Sequence, residues 1–299
     1  MPFRRAHFGA ALFTALCLVA FAPSCSRSND DEDDGDAPET ALPAYVPSAA
    51  PGTIKGTITF AGAAPARDPI SMTADSSCNN PDAKSEEYVI NGDKVQNVFV
   101  YVKDGTFADG KKVNAFSYPP KTTDTVLDQH GCTYHPHILG MQAGQTLSIR
   151  NSDPATHNVN VQAQKNDKIN PSQAPGAPDV KQLIKRPEIL IPVRCNQHPW
   201  MRAYIGVVGH PFWDVSKEDG SFEIPNLPPG TYTLVAWHEK LKPEKTIQVT
   251  VGAGETKTLD PGAFAWDNSS ISASNEVDGG SLTVMPALEF PMLGMPKHH

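Results

Sequence analysis

Short stretches in which apolar and polar residues alternate recur along the chain after residue 52, separated by turn residues. Alternation with a period of two places successive side chains on opposite faces of a strand, so these stretches predict β-strands. They lie at residues 53–60, 95–102, 145–151, 157–162, 188–194, 203–209, 221–224, 232–237 and 245–251. Because the strands are short and closely spaced, we predict an all-β chain built as two β-sandwiches.

The first 25 residues have a different pattern, which is typical of export. Arg4 and Arg5 precede an apolar run at residues 8–22, as in a signal peptide. The run ends in Ala-Pro-Ser-Cys25, which is similar to the site where bacterial lipoproteins are cleaved and lipidated. We therefore expect residues 1–24 to be a signal peptide and Cys25 to carry a lipid in the periplasm or at the outer membrane of a bacterium. Cleavage nearby without lipidation of Cys25 is the alternative.

Composition and charge argue against nucleic-acid binding and against a membrane-spanning segment in the mature chain. The chain has 299 residues and a formal net charge of −8, and it has no basic stripe of the kind that binds nucleic acid. Part of the acidity lies in residues 25–52, which are rich in Asp, Pro and Ala and predict a solvated tether. No apolar run long enough to cross a membrane follows residue 24, so we expect attachment through the lipid only. Residues 263–299 have little strand pattern and predict a flexible tail.

Three potential metal donors lie close together in the segment CNQHPWM at residues 195–201. Cys195, His198 and Met201 offer a thiolate, an imidazole and a thioether on one short loop. A blue-copper site takes two histidines, one cysteine and a weak axial methionine. His157, on an upstream strand, is the expected second imidazole. The sequence therefore predicts one mononuclear copper site.

The residues around these donors resemble a cupredoxin, and within that family the amicyanin type. The resemblance is carried by the loop Cys-x-x-His-Pro-aromatic-Met, by Tyr134-x-Pro136 before a strand ending in Asn151, and by Asn158 after the first histidine. It covers residues 116–212 and implies a Greek-key β-sandwich. It also implies a type 1 copper ion held by four ligands: His157, Cys195, His198 and Met201.

Further expectations concern the residues beside these ligands. Asn158 should tie the two ligand loops together, and Pro199 should restrain the short loop. His198, on that loop, should be the exposed edge where a redox partner docks. His135 and His137 are candidates for an extra metal site near the copper.

A zinc site is the alternative at the same place. Cys132-Thr-Tyr-His135 is a second Cys-x-x-His, and it would complete a tetrahedral site with Cys195 and His198. That arrangement leaves His157 and Met201 without a role. The copper interpretation instead leaves Cys78 and Cys132 to form a disulfide, which an oxidising compartment favours. We therefore prefer copper.

A second module is expected around the metal-binding segment. Residues 213–262 contain Asp219-Gly220, an alternating strand and Leu-Pro-Pro-Gly-Thr-Tyr, and they resemble a carboxypeptidase regulatory-like (transthyretin-like) β-sandwich. That stretch is too short for a complete sandwich. Residues 53–115 look like its opening strands, so we expect the cupredoxin-like segment to be inserted into this smaller sandwich.

Together these features predict an exported, membrane-tethered copper protein that carries single electrons to a redox partner in the cell envelope. One copper ion that changes oxidation state needs no substrate pocket, so we expect a protein that is not an enzyme. A periplasmic protein that binds or delivers copper is one alternative. A cell-envelope interaction protein with a structural metal site is another.

Overall fold

The computed structural model describes residues 42–271 of the chain. Within this range the regular structure consists of β-strands and two short 3-10 turns, Val113–Ala115 and Asn268–Ser270, without an α-helix. The all-β prediction is therefore confirmed. In the described range no helix is long and apolar enough to span a membrane.

The strands are numbered in chain order. They are β1 (Gly52–Ala61), β2 (Ile90–Asn91), β3 (Lys94–Val95), β4 (Phe99–Phe107), β5 (Thr125–His130), β6 (Thr133–His135), β7 (Ile138–Gln142), β8 (Thr146–Asn151), β9 (His157–Asn158), β10 (Asn160–Val161), β11 (Ser172–Gln173), β12 (Val180–Leu183), β13 (Glu188–Arg194), β14 (Arg202–Val208), β15 (Trp213–Val215), β16 (Ser221–Leu227), β17 (Gly230–Trp237), β18 (Lys245–Val251), β19 (Thr256–Thr258) and β20 (Phe264–Asp267).

The first sandwich combines strands from both ends of the described range. In one sheet β1 pairs with β16, β19, β20 and β3, and β3 pairs with β2. The other sheet has the order β15-β4-β17-β18. Alternate residues of β1 point inward, and Ile54 and Ile58 share a core with Tyr232, Leu234 and Trp266. Strands before residue 108 and after residue 212 therefore build one core.

The second sandwich lies between β4 and β15 in the chain. Its sheets have the orders β10-β13-β14-β7 and β12-β8-β5-β6. Buried side chains from both sheets, among them Leu127, Leu147, Val193 and Ile205, belong to one apolar cluster. The short strands β9 and β11 pair with each other beside this cluster. This is the part of the chain that holds the predicted metal ligands.

A smaller apolar cluster joins the two sandwiches. Phe99 of the first sandwich and Val208 of the second belong to it. Two glycines allow the contact: a Cβ at Gly206 would lie 2.7 Å from the Phe99 ring, and one at Gly140 would lie 2.1 Å from the Trp213 ring. We infer that larger residues at these two positions would push the sandwiches apart.

Both ends of the described range contribute more structure than the sequence suggests. The last residues of the expected tether pack on the body, because the Tyr45 ring stacks on Tyr118 at 4.5 Å between centroids and the Tyr45 N–H donates to the Ser117 carbonyl. The expected tail begins too early, because β20 pairs with β1. The signal peptide, Cys25, most of the tether and residues 272–299 lie outside the described residues.

His210 gives the folded chain a predictable dependence on pH. Its ring is buried, donates from Nε2 to the Val102 carbonyl at 2.9 Å and accepts from the Phe212 N–H at 3.3 Å. Burial lowers its pKa to about 4. The unfolded chain, in which the histidine pKa is about 6.5, therefore binds an extra proton between these values. Stability is lost as the pH falls from about 6.5 towards 4.

We expect His210 to account for about 2 kcal/mol of lost stability between pH 7 and pH 5, at roughly 1.36 kcal/mol per pKa unit. His210→Gln, which keeps a donor near Nε2 but does not titrate, should show that much less pH dependence. Urea unfolding of the metal-free protein at both pH values measures the difference. His135→Gln, at an exposed position, is the matched control. Equal pH dependence in wild type and His210→Gln would contradict this assignment.

Candidate metal centre

Three buried side chains that could bind a metal lie at one end of the second sandwich. His157 begins β9, while Cys195 and His198 lie on the loop between β13 and β14. The Nδ1 atoms of His157 and His198 are 2.9 Å apart, and Cys195 Sγ lies 3.6 Å from His198 Nδ1. Each of the three residues is at most 3% exposed. The fold thus brings two imidazoles from separate segments together and places the thiol beside one of them, His198. In the described range Cys195 does not form a group of three mutually close donors with the two histidines.

The loop at residues 195–201, here called the ligand loop because it carries three of the predicted ligands, is held closed by hydrogen bonds of its own backbone. The Cys195 N–H donates to the Met201 carbonyl at 3.3 Å, and the Met201 N–H donates to the His198 carbonyl at 2.9 Å. The Met201 side chain is fully buried in the same apolar cluster as Cys195. Pro199 lies on the exposed turn of the loop. The four predicted ligand residues therefore share one region, and Cys195, His198 and Met201 have little freedom there.

Asn158 connects the two ligand segments. Its Oδ1 accepts a hydrogen bond from the Asn196 N–H at 2.8 Å and lies 3.4 Å from Cys195 Sγ. Its own carbonyl accepts a hydrogen bond from the buried Tyr134 hydroxyl. Asn158 therefore contacts both loops, as expected from its place after the first histidine.

Two carboxylates contact the Nε2 atoms of the imidazoles, on the side opposite the facing Nδ1 atoms. Neither carboxylate was expected from the sequence. Asp153 Oδ2 is 3.0 Å from His157 Nε2, and Asp75 Oδ2 is 3.0 Å from His198 Nε2. Backbone N–H groups of Gly131 and Cys132 donate to the Asp153 carboxylate at 2.6 and 2.8 Å. This arrangement resembles the carboxylate–histidine pairs that orient metal ligands.

The charge of Asp75 decides which imidazole nitrogen carries the proton. The Ser77 hydroxyl and N–H, together with His198, lower the pKa of Asp75 to about 2. Asp75 is therefore an anion at neutral pH and can only accept, so His198 Nε2 must donate. His157 Nε2 is placed in the same way against Asp153, and burial lowers the pKa of His157.

The resulting tautomers suit a bound cation. With both Nε2 atoms donating, the two Nδ1 atoms face each other at 2.9 Å with their lone pairs and no proton to share. Two such lone pairs repel unless a positive charge lies between them. An added proton or a metal ion can supply that charge, and a thiol beside an imidazole pair is a donor set that copper prefers. The residues present therefore fit a copper ion.

A disulfide lies against this site. Cys78 and Cys132 are bonded, with an S–S distance of 2.04 Å, which is the pairing expected from the sequence. Two groups of closely spaced donors each contain one of these sulfurs: Cys78 with His157 and His198, and Cys132 with Asp153 and His157. A disulfide sulfur is not a thiolate and is a poor ligand. Cys195, the free cysteine of the described residues, is thus the available thiol.

The disulfide also removes the zinc alternative. Cys132 is bonded to Cys78, so it is not free to bind zinc together with Cys195 and His198. His135 is exposed and contacts the Thr133 hydroxyl at 2.8 Å instead. The tetrahedral Cys2His2 site is therefore not formed.

His198 is not the exposed edge that the sequence analysis expects. It is 2% exposed, and its Nε2 lies against Asp75 and, at 3.7 Å, Cys78 Sγ. The Trp200 ring covers it further, with 5.0 Å between ring centroids, and Trp200 Nε1 donates to the Cys132 carbonyl at 3.0 Å. The prediction is wrong because the Cys78–Cys132 disulfide holds the segment around Asp75 and Cys78 over the ligand loop. The sequence of the loop itself gives no sign of this contact.

His135 and His137 do not form an extra metal site together. His135 points to Thr133 at the surface, whereas His137 is buried and hydrogen-bonded to Glu239 and to the Arg202 carbonyl. Within the described range, neither belongs to a group of three close donors. For His137, burial by itself lowers the pKa, but Glu239 and Glu86 raise it above its ordinary value. We assign His137 to an ion pair that joins the sandwiches.

One family model matches part of the chain. Residues 198–259 match the model described as polysaccharide lyase family 4, domain II. This corrects the expected carboxypeptidase regulatory-like resemblance of residues 213–262. The matched segment is a minor part of the chain and does not place the whole chain in a family. No curated protein matches.

Solved structures of a copper-containing nitrite reductase, a cupredoxin and amicyanin variants match part of the chain. The copper-containing nitrite reductase of Thermus scotoductus SA-01 is 18% identical over 29% of this chain and 23% of its own, with a TM-score of 0.27. A purple cupredoxin from Nitrosopumilus maritimus is 18% identical over 28% of this chain and all of its own, with a TM-score of 0.25. A reduced Cu(I) amicyanin variant at pH 4 is 19% identical over 30% and 92%, with a TM-score of 0.26. Likeness this low carries no argument about function.

Proposed function

We propose that this protein is a mononuclear copper protein that carries single electrons and is not an enzyme. The observation that carries the proposal is the pair of buried imidazole Nδ1 atoms 2.9 Å apart, with the buried Cys195 thiol 3.6 Å from the Nδ1 of His198. A thiolate with two imidazoles and a buried thioether is the donor set of a blue-copper centre. A copper ion held there would alternate between Cu(I) and Cu(II) and so take up or release one electron.

The residues at the proposed copper site have different roles in this function. Cys195 loses its proton when it becomes a ligand, as metal binding to thiols requires. Asp153 and Asp75 keep the two imidazoles in the tautomer whose Nδ1 is free to bind. The short loop and the Asn158 contact limit how far the donors move, and the buried position excludes water. Little rearrangement is then needed when the charge at the site changes.

Copper loading of the purified protein tests this proposal. We expect one copper ion per chain, an intense visible absorption band from thiolate-to-copper charge transfer, and a paramagnetic spectrum of Cu(II) that disappears on reduction. A protein that binds copper without this band would contradict the proposal and would favour a structural metal. The complete burial of the donors also argues against copper delivery, which needs a ligand that a recipient protein can reach.

Met201 should set the reduction potential. A weak thioether ligand favours Cu(I), so Met201→Gln, with a harder oxygen donor, should lower the potential and keep the charge-transfer band. Met201→Leu removes the donor at similar volume and should raise the potential. Voltammetry of both variants beside wild type measures the shifts. Equal potentials in all three proteins would remove Met201 from the site.

Electron exchange with a partner should pass through Trp200, because His198 is covered. The half-buried Trp200 ring contacts His198 and lines a cavity of about 260 Å³ together with Pro199, Arg202, Glu86 and Glu87. We propose that this surface receives the redox partner protein in the cell envelope. Export and the lipid tether at Cys25 remain part of the proposal, from the sequence of residues 1–25.

Trp200→Leu should slow electron exchange and leave the copper spectra unchanged. Electron self-exchange between two copies, measured by NMR line broadening, gives the rate without a known partner. Trp200→Phe, which keeps an aromatic ring, is the matched control and should lie between Trp200→Leu and wild type. Self-exchange that is equally fast in Trp200→Leu and wild type would show that electrons leave by another route.

A further inference from the structure

Residues 70–83, here called the cap, form a folded loop over the ligand His198. The ends of the cap are joined by a hydrogen bond from the Ile70 N–H to the Ala83 carbonyl at 2.9 Å. Inside the cap, the Asp75 N–H donates to the Met72 carbonyl and the Cys78 N–H donates to the Asp75 carbonyl. Met72, Cys78 and Ala83 are buried in one apolar cluster with Cys132. The cap is therefore a packed structure.

Two contacts fix the cap on His198. Asp75 Oδ2 accepts the hydrogen bond from His198 Nε2 at 3.0 Å, and the disulfide holds Cys78 Sγ 3.7 Å from the same nitrogen. Asp75 is itself positioned by the Ser77 N–H, which donates to its Oδ1 at 2.9 Å. The cap thus covers the side of the imidazole that faces away from Cys195.

We infer that the cap is a lock on the metal centre, with Asp75 as a positioning residue that keeps His198 in place and closed to solvent. This inference rests on the proposed copper function for its effect on metal exchange. With the cap in place, metal leaves only if the Asp75–His198 hydrogen bond breaks and the imidazole moves away from Cys195. Small external ligands are kept from the same edge.

The lock predicts how copper exchange depends on Asp75. Asp75→Ala should bind copper about 10- to 100-fold more weakly than wild type, the loss of affinity typical when an outer partner of a metal-binding histidine is removed, and it should release copper to a chelator faster. Added imidazole should also change the paramagnetic spectrum of this variant at lower concentration. Asp75→Asn, which keeps an oxygen acceptor, should restore part of the wild-type rate. Asp82→Ala alters an exposed carboxylate of the same cap and is the matched control.

A second measurement on the metal-free protein separates the lock from the copper proposal. Diethyl pyrocarbonate modifies accessible imidazoles, and peptide mass analysis locates the product. In wild type and Asp82→Ala we expect His198 to react much more slowly than exposed His135, and in Asp75→Ala we expect it to react readily. Rapid modification of His198 in wild type would overturn the lock. A protected His198 in a protein that forms no thiolate–copper band would overturn the copper function and leave the closed cap standing.

Discussion

Cys195→Ser is expected to abolish the intense visible band of the copper-loaded protein. Charge transfer from a thiolate produces that band, and a serine hydroxyl keeps its proton and is a harder, weaker donor for copper. Cys195 is buried beside His198 Nδ1. It is the free cysteine of the described residues, so no second free thiol there can take its place. Affinity for copper should fall by more than the roughly 100-fold that loss of an outer partner costs.

Absorption, paramagnetic resonance and copper content, measured on the same samples, check this expectation. A variant with Cys78→Ser and Cys132→Ser together is the control, because these two cysteines form the disulfide. It should keep the band at low temperature. If Cys195→Ser stays coloured, or if the disulfide variant alone loses its colour, Cys195 is not the thiolate ligand.

The same disulfide variant should lose about 2–5 kcal/mol of unfolding free energy, the range found for native disulfides of secreted domains. The bond joins residues 54 positions apart. Crosslinking a loop of this length removes unfolded-chain entropy worth about 4 kcal/mol at 25 °C. It also holds the cap, with Met72 and Ala83, against the second sandwich. Loss of the bond therefore lets the unfolded chain gain entropy and also loosens the packing of the cap on the second sandwich.

Urea unfolding of the metal-free variant against metal-free wild type measures the loss, since bound metal would add its own stabilisation. Cys195→Ser, which removes a buried thiol without removing a crosslink, should lose less. A disulfide variant as stable as wild type would mean that packing of the cap is sufficient without the bond.

Alternation predicted most of the strands, and it failed for two identifiable reasons. Strand β7, Ile138–Gln142, is not among the predicted strands, because all its residues are buried and show no alternation. Residues 165–187 are polar and rich in proline and are not among the predicted strands, yet they contain β11 and β12. These are short and largely polar strands, and β12 lies at a sheet edge against β8, where few apolar positions are needed.

The candidate site was predictable where its residues are close in sequence. Cys195, His198 and Met201 lie on one loop, and His157 follows from the donor set that copper requires. Asp153 lies four residues before His157, but it stands in Ser-Asp-Pro, which is typical of a turn and does not mark it as a partner of the histidine. Asp75 is 123 positions from His198, and nothing local in the sequence connects the two. Its place depends on the disulfide, which brings the cap to the site.

The pairing of β1 with β16 and β20 affects the order in which the chain can fold as it emerges. The strands of the second sandwich are all available once residue 208 has emerged. By then β1 has only its short antiparallel contact with β3, and it lacks β16 until residues 221–227 and its parallel partners β19 and β20 until residues 256–258 and 264–267. Contacts between such distant positions form slowly, because a long stretch of chain must be closed first. During that interval the apolar face of β1 is exposed. We therefore expect the inserted sandwich to fold first and the enclosing sandwich to be the stage most prone to aggregation.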